Sequence, residues 1–436
     1  MPLALALVAA LSAAAAASVP EPPEPTAALA REARAAYDKG DKAAFLAKYE
    51  EIARRRPGDV YVLYNLACGQ AINGKLAEAQ KTLLEIASLR AASDLDADTD
   101  FDSIRQSQGY RRAVSRMNAL RTERITSGAA VAFTIREKGL VPEGVAYDPV
   151  TKSFFLSSIR KRKVFRIDAA GKISVFVAPR EGGLRAAAGI GVDPKRRSLW
   201  VATQAMAHME GSVKDEPRQA ALFEFDADTG KLRREIRPPA TDQAAGFDDL
   251  AVAADGRVYV NDGDNGRVWT LPPGGGALEV FLESDVFRGT QGLAPTPDGT
   301  SLYVSDYSSL YRVDVVSKRI ARLPVPPGVA LNGVDGLVWS AGSLYAIQNG
   351  VEPNRIIRVD VAPDGTAVTG AKILEMNHPS FDEPTLGVVA AGALYVVANS
   401  QGAKFRNRER PIAPEAMAEA VVLRVPLAPA AAASGR

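Results

Sequence analysis

Three carboxylates and one amide recur at equivalent places in a repeated motif, and side chains of these types could together hold a divalent cation. Six related units occupy the second part of the chain. Aligning them by their most regular strand brings these residues into register: Glu143, Ala188, Asp248, Gln291, Asp335 and Thr385. If the positions converge on one axis, two carboxylates about 5 Å apart repel by about 3 kcal/mol at an effective dielectric constant of about 20. Such a cluster must be protonated, solvated or neutralised by a cation.

The chemistry of these side chains favours particular metals. Oxygen ligands without His or Cys favour Ca²⁺, Mg²⁺ or Mn²⁺ over Zn²⁺. We therefore predict a divalent cation, with Ca²⁺ as the first choice, bound by Glu143, Asp248, Gln291 and Asp335. The alternative is that these residues only make hydrogen bonds where strands begin.

The elements that must position these residues are short strands with a recurring aromatic side chain. The motif appears as SFFLSS, SLWVAT, RVYVND, SLYVSD, SLYAIQ and ALYVVA, and its equivalent aromatics are Phe155, Trp200, Tyr259, Tyr303, Tyr345 and Tyr395. Each motif follows a Gly-containing strand, and Asp-Gly and Pro turns separate the strands. The candidate positions are 43 to 60 residues apart, which is room for four short strands per unit. This pattern predicts a six-bladed β-propeller over residues 129–426, with the aromatics filling the seams between blades.

The count of strands indicates how the ring closes. The sixth unit has strands near 385–391, 393–399 and 420–426 and lacks a fourth, whereas the stretch 129–138 is a strand without a unit. We predict that this N-terminal strand completes the last blade. Because the first strand of every blade lines a propeller's central channel, the six candidate positions would then meet on the axis.

Side chains at the ends of the second strands should lie on the same face as the axial residues. We expect them to form a polar cup from Ser158, Thr203, Asp262, Asp306, Gln348, Asn349 and Asn399. Long connections at 206–219 and 402–417 would cover this face, because loops on a rigid scaffold commonly carry specificity. His208, in the first of them, is a candidate proton carrier or a solvated loop residue.

Residues 26–125 read as a helical repeat pair. Apolar residues recur at three- and four-residue steps, and Gly40 recurs as Gly74 after 34 residues. This is the period of the tetratricopeptide repeat, in which Gly occupies the turn between paired helices. The segment 101–115 resembles the closing helix that follows such repeats. The module either docks a protein partner or only packs on the next domain.

Composition and the chain ends limit the class of protein. Residues 3–17 form an apolar run ending in small residues, so we predict a signal peptide at 1–18, a Pro-rich spacer at 19–25 and a disordered tail at 427–436. The run is short for a membrane span, and we expect a secreted, periplasmic protein without one. Its 53 Lys and Arg against 51 Asp and Glu give a net charge of +2, which argues against nucleic-acid binding. The single Cys68 excludes an internal disulfide.

The β region resembles the gluconolactonase/senescence-marker-protein family of six-bladed propellers and, more loosely, NHL-repeat propellers. PEGVAYDP (142–149) resembles that family's first-blade motif, whose Glu binds a divalent metal, which implies this role for Glu143. VDGLVWSAGSLYAIQNG (334–350) is similar to its fifth-blade motif, whose Asp is a metal ligand and proposed general base. The resemblance implies both roles for Asp335.

Two further motifs match the family with substitutions. QGLAPTPDG (291–299) resembles the fourth-blade motif with Gln291 in place of Asn, and FDDLAVAADG (247–256) resembles the third-blade motif with Asp248 in place of Asn. The family's substrate-binding Arg lies two residues before that position, where this chain has Gly246.

Two functional hypotheses follow. The first is a metal-dependent hydrolase of a small lactone or ester, in which the cation polarises a carbonyl and Asp335 helps deprotonate a water. No Gly-x-Ser-x-Gly motif, phosphate loop or dinucleotide fingerprint is present, and the chain has only two His. The second is a non-catalytic protein that binds a peptide, protein or glycan on the propeller face and a partner through the helical repeats.

Overall fold

The computed structural model describes residues 25–213, 216–241, 243–287, 289–406 and 412–427. A small helical module precedes six four-stranded antiparallel sheets arranged as a propeller, which confirms the predicted fold class. The predicted signal peptide, nearly all of the spacer and nearly all of the tail lie outside the described residues. Within those residues, no helix has the length and apolar character needed to cross a membrane.

The helical module contains two helix pairs and a fifth helix. Their bounds are Ala27–Asp38 (α1), Lys42–Arg55 (α2), Val60–Ile72 (α3), Leu76–Ser88 (α4) and Gln108–Thr122 (α5). Gly40 and Gly74 form the turn within each pair with φ of +76°, a left-handed conformation that favours glycine. The fifth helix begins later than the predicted segment 101–115, because the Ser107 hydroxyl accepts the free Tyr110 amide at 3.1 Å and caps the helix there.

Each blade is an up-and-down sheet whose first strand lies innermost. Blade 1 consists of Pro142–Asp148, Ser153–Ser158, Lys163–Ile167 and Ile173–Val177. Blade 2 consists of Ala186–Asp193, Ser198–Gln204, Ala221–Asp226 and Leu232–Ile236. Blade 3 consists of Phe247–Val252, Val258–Asp262, Arg267–Leu271 and Glu279–Glu283. Blades 4 and 5 consist of Thr290–Pro295, Ser301–Asp306, Leu310–Asp314 and Ile320–Arg322; and Val334–Ser340, Ser343–Gln348, Arg355–Val361 and Val368–Met376.

Blade 6 closes the ring with a strand from the other end of the chain. Its strands are Gly387–Ala390, Ala393–Val397, Ala420–Pro426 and, outermost, Ala130–Ile135. The outermost strand pairs antiparallel with the last strand of the chain, from Ala130 opposite Arg424 to Ile135 opposite Ala420. The predicted closure is confirmed, and the first and last strands of the propeller hold each other in register.

The recurring aromatics fill the seams between blades, as predicted. Phe155, Tyr259 and Tyr303 are each at most 2% exposed. The Tyr303 ring stacks on Trp339 of the next blade at 5.1 Å between centroids and 6° between planes. These contacts form the core of the propeller and fix the angular position of each inner strand.

The helical module packs directly on blades 4 and 5. The buried Arg56 side chain donates to Tyr311 at 3.2 Å and to the carbonyl of Val286 at 3.0 Å, and it lies 3.8 Å from the Asp306 carboxylate. On blade 5, Arg355 donates to the carbonyl of Arg90 at 2.8 Å. These buried bonds join the two parts of the chain, so packing on the propeller accounts for part of the module's surface.

Candidate active site on the propeller axis

A cavity of about 520 Å³ lies at one end of the central channel, where the inner strands begin. All six axial positions identified in the sequence line it: Glu143, Ala188, Asp248, Gln291, Asp335 and Thr385. Its remaining wall comes from loops, including those that carry Met206, His208 and Arg218. The structure therefore brings the four predicted metal ligands together on one surface, while their role as ligands stays a prediction.

A repeated β-bulge turns these side chains toward the axis. In blades 1 to 5, two successive residues of the inner strand oppose a single residue of the second strand, as at 143–144 opposite 157 and 335–336 opposite 347. Such a bulge bends the strand and redirects its side chains. In four of these blades the second bulged residue is Gly. The neighbouring blade requires this, because a Cβ on Gly292 would lie 2.6 Å from the Asp335 carbonyl oxygen.

Glu143 is the carboxylate most affected by its neighbours. Its side chain accepts a hydrogen bond from the Ser400 hydroxyl at 3.3 Å, and its backbone carbonyl accepts one from Thr385 at 2.8 Å. Burial raises the pKa of Glu143 well above its usual range, and the nearby negative charges of Asp335 and Asp248 raise it further. The bond from Ser400 offsets only part of this rise, and no Lys or Arg of the described chain is among the groups that lower the pKa of Glu143.

Asp248 and Asp335 are each held by an amide. The Gln204 side-chain amide donates to Asp248 at 2.6 Å, and the Asn349 amide donates to Asp335 at 2.5 Å. Burial raises the pKa of Asp248 to about 6 despite the bond from Gln204. An amide donor orients a carboxylate without neutralising its charge, so both groups stay directed into the cavity as acceptors.

Asp249 is a fourth axial carboxylate that the sequence analysis missed. It occupies the second bulge position in blade 3, where blades 1, 2, 4 and 5 have Gly. Burial raises its pKa well above the usual range, although the amide of Leu250 donates to it at 2.7 Å. The signal in the sequence is FDDLAV, in which a second Asp replaces the glycine of the other units.

Arg218 is the one Arg or Lys side chain among the described residues lining this cavity, and the sequence analysis did not identify it. It reaches the site from the long connection of blade 2 and pairs with Asp264. Its guanidinium fills the space beside Gly246, where a Cβ would lie 2.3 Å from Nη1. The absence of a side chain at position 246 therefore makes room for the Arg218 guanidinium, which comes from the neighbouring blade.

The axial oxygen atoms are the type of ligand that a hard divalent cation prefers. The axial carboxylates are, however, farther apart than the ligands of a single ion. Ca²⁺ takes oxygen ligands at 2.3–2.6 Å, so ligating oxygens lie within about 5 Å of one another. No three axial carboxylates of the described chain have oxygens mutually within 4.8 Å. The carboxylates face a shared space in which Arg218 is the one Lys or Arg among the described lining residues, so an oxygen-bound cation fits the chemistry of this surface.

Among the described residues, one cluster of acidic and thiol side chains is compact enough to chelate a metal ion, and it lies outside the propeller. It comprises Cys68, Asp98 and Asp100 in the helical module. Hydrogen bonds already occupy both carboxylates, because Tyr64 donates to Asp98 at 2.6 Å and Tyr37 donates to Asp100 at 2.9 Å. Burial raises the pKa of the Cys68 thiol and keeps it protonated. These contacts explain the group as part of the module's packing.

The expected polar cup is wrong except for Asn349. The other six residues do not line the axial cavity, and all are nearly fully buried: Ser158, Thr203, Asp262, Asp306, Gln348 and Asn399. Their side chains bond to nearby backbone instead, as Asp262 does to the amide of Gly246 at 3.1 Å and Gln348 to the carbonyl of Asn332 at 2.7 Å. The second strands end behind the inner strands, so their polar ends support the loops. The connection from the second blade does reach the cavity and places His208 in its wall.

No protein-family model matches the chain, and a comparison with curated proteins gives no match. Solved structures do resemble it. A gluconolactonase from Xanthomonas campestris is 16% identical, with 70% of this chain and 91% of that chain covered and a TM-score of 0.46. The calcium-binding protein regucalcin from Agrobacterium tumefaciens is 15% identical, with 68% and 94% covered and a TM-score of 0.45. Virginiamycin B lyase from Staphylococcus aureus is 11% identical, with 68% and 99% covered and a TM-score of 0.44. Likeness at these identities concerns the fold alone.

Proposed function

We propose that this protein is a divalent-cation-dependent hydrolase of small neutral lactones or esters, acting at the axial cavity. The observation that carries the proposal is the set of axial carboxylates that share one cavity and are partly withdrawn from water, which raises the pKa of Glu143 and also that of Asp248, although Arg218 lies near Asp248. A site built only to bind a neutral ligand gains nothing from this arrangement, which costs stability. Carboxylates that face a common space are the expected construction for a cation site.

Four axial residues and Arg218 have a part in the proposed reaction. Glu143, Asp248, Gln291 and Asp335 would hold the cation, which when bound polarises a carbonyl oxygen and favours deprotonation of water. Asp335, oriented by the Asn349 amide, accepts a proton from the attacking water. Arg218 stabilises the negative charge that develops on the carbonyl oxygen. The excess of carboxylates disfavours anionic substrates, so we propose that the substrate is neutral.

The proposal includes export from the cytoplasm, with Ca²⁺ as the cation. Its support is the apolar run at 3–17 and the oxygen-only set of ligands. A role for the helical repeats in binding a protein partner is compatible with the hydrolase activity. Fractionation of the cells that make the protein, with the chain detected in each fraction, tests the location.

Hydrolysis assays test the activity. The purified protein is incubated with neutral lactones and aryl esters in Ca²⁺, Mg²⁺, Mn²⁺ or chelator, and product is followed against time. We expect turnover with cation, loss in chelator, and a fall of at least 100-fold in kcat for Asp335→Asn. The matched control is Asp360→Asn, on the third strand of the same blade, which should keep wild-type activity. Cation-independent turnover, or an active Asp335→Asn protein, contradicts the proposal. A protein that binds these compounds without turnover in any cation is a binding protein.

A further inference from the structure

A second cavity lies between the helical module and blade 5. Its volume is about 510 Å³, close to that of the axial cavity. One wall is formed by α3 and by the segment 91–94 that follows α4, and the other is formed by the connection 349–354 of blade 5. We call it the interdomain cleft.

Direct bonds fix both walls of the interdomain cleft. The Tyr61 hydroxyl donates to the carbonyl of Gly350 across one end. The backbone amide of Ala92 donates to the carbonyl of Glu352 at 2.7 Å, which makes a strand-like bridge between the two walls. The cleft is therefore a gap of defined width between parts that are already joined.

The lining of the cleft favours an apolar, neutral occupant. Val60, Ala91 and Val351 are buried in its walls, and the Tyr61 ring, 44% exposed, provides an aromatic face. Its two charged lining residues, Asp94 and Glu352, are both acidic. Glu352 is paired with Arg121 at 3.0 Å, and no Lys or Arg is among the described residues that line the cleft, so an anionic ligand finds no basic partner there, whereas an apolar chain would bury surface on both sides.

The cleft and the axial cavity share a wall. Asn349 and Gly350 line both, and the Asn349 side chain donates to the Asp335 carboxylate. A molecule whose reacting carbonyl lies beside Asp335 therefore has an apolar recess within reach past Gly350. The two spaces adjoin at these residues, which favours as the occupant another part of the molecule that reacts on the axis.

We propose that the interdomain cleft binds the apolar chain of the substrate, so that the substrate class is a lactone or ester with an extended alkyl or aryl substituent. This inference rests on the proposed hydrolase function. It gives the helical module a direct part in specificity, since α3 and the segment 91–94 supply one wall of the subsite.

Two measurements on the full chain test the cleft separately from the reaction. In the first, γ-lactones with alkyl substituents of increasing length are hydrolysed. We expect kcat/KM to rise about fourfold for each methylene group that enters the cleft. Ser93→Trp, which fills the cleft, should abolish the rise and leave the rate for unsubstituted γ-butyrolactone unchanged. Ser88→Trp, exposed at the end of α4, is the matched control.

In the second, calorimetry measures the binding of octanamide, a neutral chain with no ester to cleave. We expect Ser93→Trp to weaken binding at least tenfold and Tyr61→Ala, which removes the aromatic wall, to weaken it as well. Two results together would refute the proposal that the cleft binds the substrate chain: lactone turnover that does not depend on chain length, and equal octanamide binding by wild type and Ser93→Trp. The hydrolase proposal would be unaffected. Octanamide binding that Ser93→Trp abolishes would support the cleft as a binding site for an apolar chain, even if no lactone is cleaved. The lack of lactone cleavage would refute the hydrolase proposal alone.

Discussion

Replacing Asp248 by Asn should stabilise the cation-free protein at alkaline pH. The folded pKa of Asp248 is about 6 against 3.8 for the free side chain. Because the folded pKa is the higher one, its contribution to stability is full below 3.8 and is lost as pH rises through about 6. The difference of about 2 units, at 1.36 kcal/mol each, makes the ionised group cost about 3 kcal/mol. Asn removes the charge and keeps the oxygen that accepts the Gln204 amide.

The assay is denaturant unfolding in chelator, followed by tryptophan fluorescence. All three Trp lie in the propeller, so this signal reports on the domain that contains the mutation. At pH 8 we expect Asp248→Asn to raise the free energy of unfolding by up to about 3 kcal/mol, falling to about half that at pH 5. With saturating Ca²⁺ the order should reverse, because the variant loses a proposed ligand.

Asp148→Asn is the matched control on blade 1. Burial alone would raise the pKa of Asp148, but bonds from Arg197 and Thr151 lower it to about 2. Neutralising this group should therefore destabilise the propeller. If Asp248→Asn also destabilises the protein at pH 8 in chelator, the inference that ionisation of the Asp248 carboxylate costs stability is refuted.

Two other substitutions test separate parts of the structure. Gly246→Ala should displace the Arg218 guanidinium and, at 2.9 Å from the new Cβ, shift the Gln204 side-chain oxygen slightly. We expect kcat/KM for neutral esters to fall at least tenfold with little change in Tm. Gly370→Ala, which meets no close atom, is the control, and unchanged kinetics would show that Arg218 has no part in the reaction. Arg56→Ala should cost on the order of 3–5 kcal/mol in denaturant unfolding, since it removes a buried guanidinium that bonds to Tyr311 and to the Val286 carbonyl and lies 3.8 Å from the Asp306 carboxylate, and a loss below 1 kcal/mol would contradict that role.

The propeller could be predicted because its determinants are local and repeated. An aromatic such as Tyr303 at one fixed place in each unit, with turns at regular intervals, specifies blades without knowledge of their contacts. The strand at 129–138 could be assigned to the last blade because the sixth unit has three strands where the others have four. The same alignment identified Glu143 and Asp335 as axial neighbours, since equivalent positions in a ring share an axis.

The rest of the site depends on contacts between distant parts of the chain. Arg218 reaches the cavity because position 246 has no side chain, a relation between neighbouring blades that neither local sequence reveals. The polar cup was predicted wrongly because the sequence pattern does not show that side chains at the ends of the second strands bond to neighbouring loops. Asp262, for example, accepts a hydrogen bond from the amide of Gly246. The interdomain cleft depends on where Arg56 and Arg355 fix the helical module, and nothing in the repeat pattern gives that geometry.

Calorimetric titration of Ca²⁺ into the chelator-treated protein tests whether the axis holds a cation. We predict one ion per chain and at least tenfold weaker binding for both Glu143→Gln and Asp335→Asn. Asp98→Asn, in the acidic group of the helical module, should bind as wild type does. Absence of binding, or binding that Asp98→Asn abolishes and Glu143→Gln leaves intact, would contradict a cation site on the axis.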